Sequence, residues 1–137
     1  MTPSNEVVGW HAVLERCSDL LPLFERCELR LRATEVAQAM GLRSCAALHQ
    51  LLAIRRLPPF SALRDWYYVV VLVDKFGLHK TTSGLGTLSA YVLQRGEDPR
   101  MYYRLVKRTT GHRWGEVQQL GVEWVRHTAL QVWSPHL

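Results

Sequence analysis

The chain has 137 residues, of which 47% are hydrophobic and 21% charged, and its formal net charge is +5. This length suits one domain or two very small ones, and the apolar content excludes a disordered tail, a collagen-like repeat and a disulfide scaffold. No apolar run approaches the roughly 20 residues of a membrane span, and the first residues lack the basic start of a signal peptide. We therefore expect a soluble cytoplasmic protein, with its three cysteines (Cys17, Cys27 and Cys45) as thiols.

The charge is distributed unevenly. Residues 1–28 hold two arginines and five acidic residues, a net charge of −3, whereas the remaining 15 basic and 7 acidic residues give +8. A basic module behind an acidic segment is typical of a nucleic-acid-binding protein, and a basic soluble protein without such a partner fits the charge equally well.

The first elements are predicted to be short helices. Apolar spacing predicts a helix over Val7–Leu20, followed by a short helix to about Cys27. Pro22 requires either that the first helix stops near Cys17 and a second starts around Asp19, or that the helix is kinked.

A helix, a glycine turn and a second helix follow. The first of these helices begins at Arg32 or Ala33, and Gly41 ends it by adopting a left-handed conformation. Ser44 is the predicted N-cap of the second helix. The buried face of that helix is formed by Leu48, Leu51 and Leu52.

The next element is a long apolar helix. Pro58 and Pro59 end the preceding helix, and Ser61 is predicted to cap a helix from Ala62 to about Phe76. Its apolar residues surround the helix almost completely, so we expect it to be buried. The segment Gly77–Gly86 is the best candidate for a linker.

The pattern then recurs. A helix over Thr87–Gln94 ends at Gly96, and Asp98 with Pro99 starts a helix that continues to about Thr110. At an offset of 54 residues the segment 48–52 aligns with 102–106. An internal duplication of a helix-turn-helix explains this alignment, and chance similarity between two amphipathic helices is the alternative.

The second half resembles the signature of AraC/XylS-type transcription regulators. The resemblance lies in the aromatic, basic-rich segment Tyr102–Gly111, which ends in Thr-Gly and is followed by Trp114. The first half is similar through three short segments: Ala37-x-x-x-Gly41-Leu42, Leu48-x-x-Leu51-Leu52 and Leu57-Pro58-Pro59-Phe60. The similarity covers roughly residues 20–120. Two features depart from the family: Leu57 stands where glycine is frequent, and Cys45, Ala46 and Ala47 are small.

The resemblance implies an all-α fold with two helix-turn-helix subdomains joined by a long linking helix, a homeodomain-like duplication. The implied division is an acidic N-terminal extension (1–19), a first subdomain (20–60), the linking helix (61–77) and a second subdomain (78–137). Each second helix would enter one of two successive major grooves, about 34–36 Å apart. The implied function is transcription regulation through double-stranded DNA, with a monomer expected and a dimer as the alternative.

Candidate DNA contacts in the second motif lie on one helix face. Arg100 and Arg104 are one turn apart with Tyr103 beside them, so they are candidates for base edges or phosphates, the alternative being a solvated basic face. Phosphate contacts are expected from Lys107, Arg108 and Arg113. Tyr102 is predicted to belong to the core.

The first motif offers a less basic set. His49 and Gln50 occupy the positions of Tyr103 and Arg104, and glutamine pairs bidentately with adenine, whereas a lone histidine is more often structural. The helix start favours a phosphate and the far end carries two arginines. The remaining candidates are Arg43, Ser44, Ala46, Arg55 and Arg56.

Catalytic patterns are absent from the sequence. The segment Gly84–Gly86 lacks the third glycine of a dinucleotide fingerprint and the Lys-Ser/Thr of a phosphate loop. The cysteines and histidines lack zinc-ligand spacing, and Glu97 and Asp98 form a helix cap rather than a catalytic pair. We expect no enzyme activity, no metal and no cofactor.

The alternative function is a non-enzymatic protein-interaction module whose partner is RNA polymerase or a second regulator. Trp124 and Trp133 lie in an apolar C-terminal stretch that would supply the interface. The structural alternative is that both tryptophans complete the core of the second motif.

Overall fold

The computed structural model describes residues 9–25, 31–77 and 87–137, and within these ranges all regular secondary structure is helical. None of the described helices is long and apolar enough to span a membrane. The start of the acidic extension (1–8), Cys27 and most of the predicted linker (78–86) lie outside the described residues. The helices are α1 (Trp10–Arg16), α2 (Leu21–Glu25), α3 (Ala33–Ala39), α4 (Cys45–Ile54), α5 (Phe60–Phe76), α6 (Leu88–Gln94), α7 (Pro99–Thr110), α8 (Trp114–Leu120) and α9 (Val122–Trp133).

The chain forms two compact units. The first consists of the described residues of Met1–Leu63 together with Ala129–Leu137, and the second consists of those of Arg64–Thr128. The boundaries therefore fall inside α5 and inside α9. The last residues of the chain contribute to the first unit, although they follow the second unit in sequence.

Aromatic side chains organise the core of the first unit. Trp133 is fully buried and its ring stacks on that of Trp10, with ring centroids 5.3 Å apart. Its indole Nε1 donates a hydrogen bond to the carbonyl oxygen of Ala62 at 3.3 Å. Phe24 and Phe60 pack with ring centroids 6.0 Å apart. Trp133 thus completes the first core, rather than an exposed interface or the core of the second motif.

The break between α1 and α2 follows the first of the two predicted alternatives. α1 ends at Arg16, and α2 begins at Leu21 with Pro22 in its first turn, where the missing N–H has no helical partner to lose. The intervening turn buries Cys17. This burial raises the pKa of the Cys17 thiol to about 11. Cys17 and Cys45 are free thiols, as predicted.

The pairs α3–α4 and α6–α7 are joined by the same kind of turn. Gly41 and Gly96 have φ values of 73° and 75°, a left-handed conformation that favours glycine. In each turn the next N–H donates to a carbonyl five residues earlier, from Leu42 to Ala37 at 2.8 Å and from Glu97 to Val92 at 3.1 Å. Both predicted glycine turns are therefore confirmed.

The helix after each turn begins with the predicted side-chain cap. Ser44 Oγ accepts a hydrogen bond from the backbone N–H of Ala47 at 3.2 Å, and Asp98 Oδ1 accepts one from that of Arg100 at 3.0 Å. The first cap stands three residues after its glycine and the second cap two residues after its own. This difference explains why the two glycines align at an offset of 55 residues, whereas the helices that follow them align at an offset of 54.

The long helix α5 starts earlier than predicted. The carbonyl of Pro59 accepts the N–H of Leu63 at 3.0 Å, so the helix begins at Phe60 and Ser61 lies inside its first turn. The prediction that Ser61 caps this helix was wrong, because Pro59 already has a φ that suits the residue before a helix. Five consecutive residues, 66–70, are buried, so the central part of the helix is enclosed on all sides as predicted, whereas Ser61, Asp74 and Lys75 near its ends are exposed.

The end of α4 contains the one described residue other than glycine with a positive φ. This residue is Arg56, with φ 56°, whereas Leu57 is only 3% exposed and its N–H donates to the carbonyl of Leu52 at 2.9 Å. The left-handed position that favours glycine is therefore one residue before Leu57. Arg56 occupies it at a conformational cost of about 1–2 kcal/mol.

Candidate functional site

The helix α7 is strongly amphipathic. Its buried face consists of Tyr102, Leu105 and Val106, and the hydroxyl of Tyr102 donates to Glu97 Oε2 at 2.9 Å. The prediction that Tyr102 belongs to the core is confirmed. The pKa of Tyr102 lies far above its usual range, mainly because the side chain is buried and also because its hydroxyl is hydrogen-bonded to Glu97. With this face fixed, the basic residues of α7 are turned outward.

The outward face of α7 borders an open groove with a volume of about 650 Å³. The groove lies between α7 and the first residues of α8, and we call it the basic groove. Its lining contains four basic side chains, two aromatic ones and one glycine. They are Tyr103, Arg104, Lys107, Arg108, Arg113, Trp114 and Gly115. Five of these seven are residues that the sequence predicted as DNA contacts, and the structure brings them together.

Three carboxylates neighbour these cations. Glu116 accepts a hydrogen bond from the backbone N–H of Arg113 at 3.1 Å and also interacts electrostatically with Lys107. Asp65, on α5 and 15% exposed, has its Oδ2 3.5 Å from an Nη2 of Arg108. Asp98 pairs with Arg100, which lies outside the groove lining and is 77% exposed. Arg104 makes no hydrogen bond and no ion pair with any described residue. The hydrogen bond from Arg100 keeps the pKa of Asp98 below its usual range, so this carboxylate stays ionised beside the groove.

Two of the groove residues are held by neutral hydrogen-bond partners. Tyr103 shares a hydrogen bond between its hydroxyl and that of Ser89 on α6. Lys107 Nζ donates to the carbonyl of Gly111 at 2.9 Å, where Gly111 ends α7 in a left-handed conformation. These contacts fix the hydroxyl of Tyr103 and the ammonium group of Lys107, and they reduce the number of conformations available to both side chains.

Sequence reasoning did not assign a site role to two residues of this region. Trp114 was noted only as the residue that follows the segment Tyr102–Gly111, yet it is half-buried and lines the groove. The sequence feature that could have indicated this role is the position of Trp114 directly after Arg113, at the first residue of α8. The contact between Asp65 and Arg108 could not be predicted from the sequence. It depends on the packing of α5, which no local sequence pattern encodes.

The candidate residues of the first motif are arranged around α4. Arg43 precedes the helix and is exposed, and Ser44 is its N-cap. Ala46, His49 and Gln50 are exposed on the helix itself. None of these five residues lines the basic groove, which belongs to the second unit.

The two arginines at the end of α4 differ in their surroundings. Arg55 donates to both carboxylate oxygens of Asp19, at 2.6 and 2.9 Å, and this pairing lowers the pKa of Asp19 and raises that of Arg55. The side chain of Arg56 is exposed, and the hydrogen bonds of this residue are made by its backbone: its carbonyl accepts from Arg16 at 3.0 Å and its N–H donates to the carbonyl of Ala53 at 3.0 Å. Arg56 is therefore the better placed of the two for a phosphate.

The described residues also bear on a metal site and on a catalytic carboxylate pair. Residues 9–25, 31–77 and 87–137 contain no group of three or more His, Cys, Asp or Glu side chains that could hold a metal ion. Glu97 and Asp98 bind Tyr102 and the start of α7, respectively, as expected of residues at a helix start.

No protein-family model, no curated protein and no solved structure matches this chain.

Proposed function

We propose that this chain is a sequence-specific regulator of transcription that binds double-stranded DNA, with α4 and α7 as the second helices of two helix-turn-helix motifs. The observation that carries the proposal is the basic groove, in which Arg104, Lys107, Arg108 and Arg113 converge around two aromatic side chains. The matching glycine turns of α3–α4 and α6–α7 support it as well. In this proposal each of the two helices occupies a major groove, and the two grooves are successive.

The exposed side chains of α7 suit two kinds of DNA contact. Arg104 makes no hydrogen bond or ion pair with a described residue and interacts with Asp98 through electrostatic attraction alone, so its guanidinium is available for the O6 and N7 atoms of guanine, the commonest specific contact of arginine. Lys107 and Arg113 flank it and would contact phosphates, which orient the protein without selecting a sequence. If the other three groove cations, Lys107, Arg108 and Arg113, neutralise phosphates, they contribute a slope of about −2.7 to the dependence of log K on log salt concentration.

The test is selection of bound duplexes from a randomised DNA pool at moderate salt, followed by sequencing. We expect the wild-type protein to enrich an asymmetric site with two short blocks about 10 bp apart. Arg104→Ala should lose discrimination at one position by about 1–3 kcal/mol and leave the other block intact.

A matched control separates this effect from loss of fold or of charge. Arg126 lies in the same unit outside the groove lining, on α9, and pairs with Glu123 at 2.7 Å. Arg126→Ala removes the same charge, and the enriched site should not change. Equal weakening by Arg104→Ala on every sequence would show that Arg104 contacts phosphate, and absence of any enriched sequence with the wild-type protein would refute the proposal.

Only one of the two tryptophans that were predicted to form the interface of a protein-interaction module remains available for it. Trp133 is fully buried in the first unit, and Trp124 is half-buried with its ring 5.4 Å from that of His112. The observation that favours this alternative is the exposure of Ile54 and Leu93, at 79% and 64%. A pull-down of RNA polymerase that depends on Leu93 but not on Arg104 would support it.

A further inference from the structure

The outward face of α4 differs from that of α7 because it carries no Asp, Glu, Lys or Arg. Its exposed residues repeat at positions i, i+3, i+4, i+7 and i+8, the spacing of one helix face. We call this face the neutral stripe. It consists of Ala46, His49, Gln50, Ala53 and Ile54.

The surroundings of the neutral stripe favour a polyanion. Between Val36 and Leu63 the chain has three arginines and neither aspartate nor glutamate, and of these arginines only Arg55 is paired, with Asp19. Arg43 lies before the stripe and Arg56 after it, and both side chains are exposed and make no hydrogen bond or ion pair with a described residue. Cations beyond both ends of an uncharged helix face match two phosphates on either side of base edges.

The chemistry of the stripe is selective among bases. The carboxamide of glutamine donates to adenine N7 and accepts from adenine N6, and aliphatic methyl groups pack against the C5-methyl group of thymine. Ala46 and Ala53 are seven residues apart, which corresponds to about 10 Å along the helix and roughly three base-pair steps. Gln50 lies between them on the same face.

We propose that the neutral stripe binds an A·T-rich block of the major groove, with Gln50 contacting adenine and the alanine methyl groups contacting thymine. This inference rests on the proposed function and adds the base composition that α4 selects. Because the stripe contacts are uncharged, their removal should weaken binding without changing its salt dependence. Gln50→Ala should therefore lower affinity about tenfold at every salt concentration.

The decisive experiment changes the preferred base rather than removing a contact. Randomised duplexes are selected with the wild-type protein, with Gln50→Arg and with the control Gln38→Arg. Arginine pairs with guanine, so Gln50→Arg should replace one enriched A by G in a single block. Gln38 is exposed on α3 in the same unit, and its replacement adds the same charge without touching the stripe. Gln38→Arg should therefore keep the A.

Each other outcome overturns a defined part of the argument. If Gln50→Arg and the wild-type protein enrich the same block while Arg104→Ala still changes the other one, the inference about α4 fails and the proposed function stands. If the wild-type protein enriches no sequence, the proposed function and this inference both fail. Far-UV circular dichroism of each variant establishes that a lost block does not reflect a lost fold.

Discussion

Asp19→Asn tests whether Arg55 has a structural role. Arg55 holds Asp19 through two hydrogen bonds of 2.6 and 2.9 Å, which join the end of α4 to the turn after α1. The side chains are 30% and 46% exposed, so solvent screens the pair and its contribution to the free energy of unfolding is about 0.5–1 kcal/mol. The two-point geometry places it near the upper value, which corresponds to about 2–4 °C in Tm.

The pH dependence of this effect has a definite sign. Arg55 lowers the pKa of Asp19 in the folded protein below its ordinary value of 3.8. The stabilisation is therefore complete above pH 3.8 and is lost as the pH falls through the lowered, folded-state pKa. We expect wild type and Asp19→Asn to differ in unfolding free energy at pH 7 and pH 5, and to converge as the carboxyl group becomes protonated.

The assay is urea unfolding followed by far-UV circular dichroism at pH 7, 5 and 3. A double-mutant cycle with Arg55→Gln isolates the interaction between the two side chains. Glu15→Gln is the matched control, since Glu15 is an exposed carboxylate on α1 in the same unit. A difference that persists unchanged at pH 3, or a coupling energy of zero, would refute this account of Arg55.

Two further predictions concern the first unit. Arg56→Gly should increase the free energy of unfolding by about 0.5–1 kcal/mol, because relief of the left-handed strain exceeds the added entropy of the unfolded chain. Urea unfolding measures this change, and a loss of stability would show that the side chain makes a stabilising contact. Trp133→Ala should cost about 3–5 kcal/mol, since it removes the buried ring that stacks on Trp10. Unchanged stability in the same assay would mean that the C-terminal residues are not part of the first core.

The local structure of this chain could be predicted from its sequence where one residue type determines a backbone conformation. Gly41 and Gly96 end α3 and α6, and Ser44 and Asp98 cap α4 and α7, as their positions predicted. Pro22 separates α1 from α2 for a similar reason. In each case the relevant energy arises within about four residues of chain, so a single sequence contains the required information.

The sequence did not predict the start of α5 or the turn at the end of α4. Both Pro59 and Ser61 suit a helix start, and the proline took precedence, which moved the start of α5 to Phe60. At the end of α4 the structure uses Arg56 in the conformation that usually requires glycine. The packing of Leu57 into the core fixes the position of this turn, and such packing is a property of the whole unit rather than of the local sequence.

The same distinction applies to the candidate site. The basic face of α7 followed from helical spacing, whereas the approach of Arg113 and Trp114 to form a groove depends on the left-handed Gly111, which sets the direction of α8 relative to α7. From spacing alone, Arg55 and Arg56 were both predicted to contact DNA. In the folded chain Arg55 instead pairs with Asp19, which is distant from it in sequence.

The outward faces of α4 and α7 differ, so the two helices would not contribute equally to the proposed binding of DNA. The face of α7 holds the cations of the basic groove, while the face of α4 presents alanines, a histidine, a glutamine and an isoleucine. Cations supply affinity that falls with salt, and uncharged contacts discriminate between bases with little effect on that dependence. If the chain binds DNA as proposed, the second unit therefore provides most of the electrostatic affinity, and the first unit adds selectivity that persists at high salt.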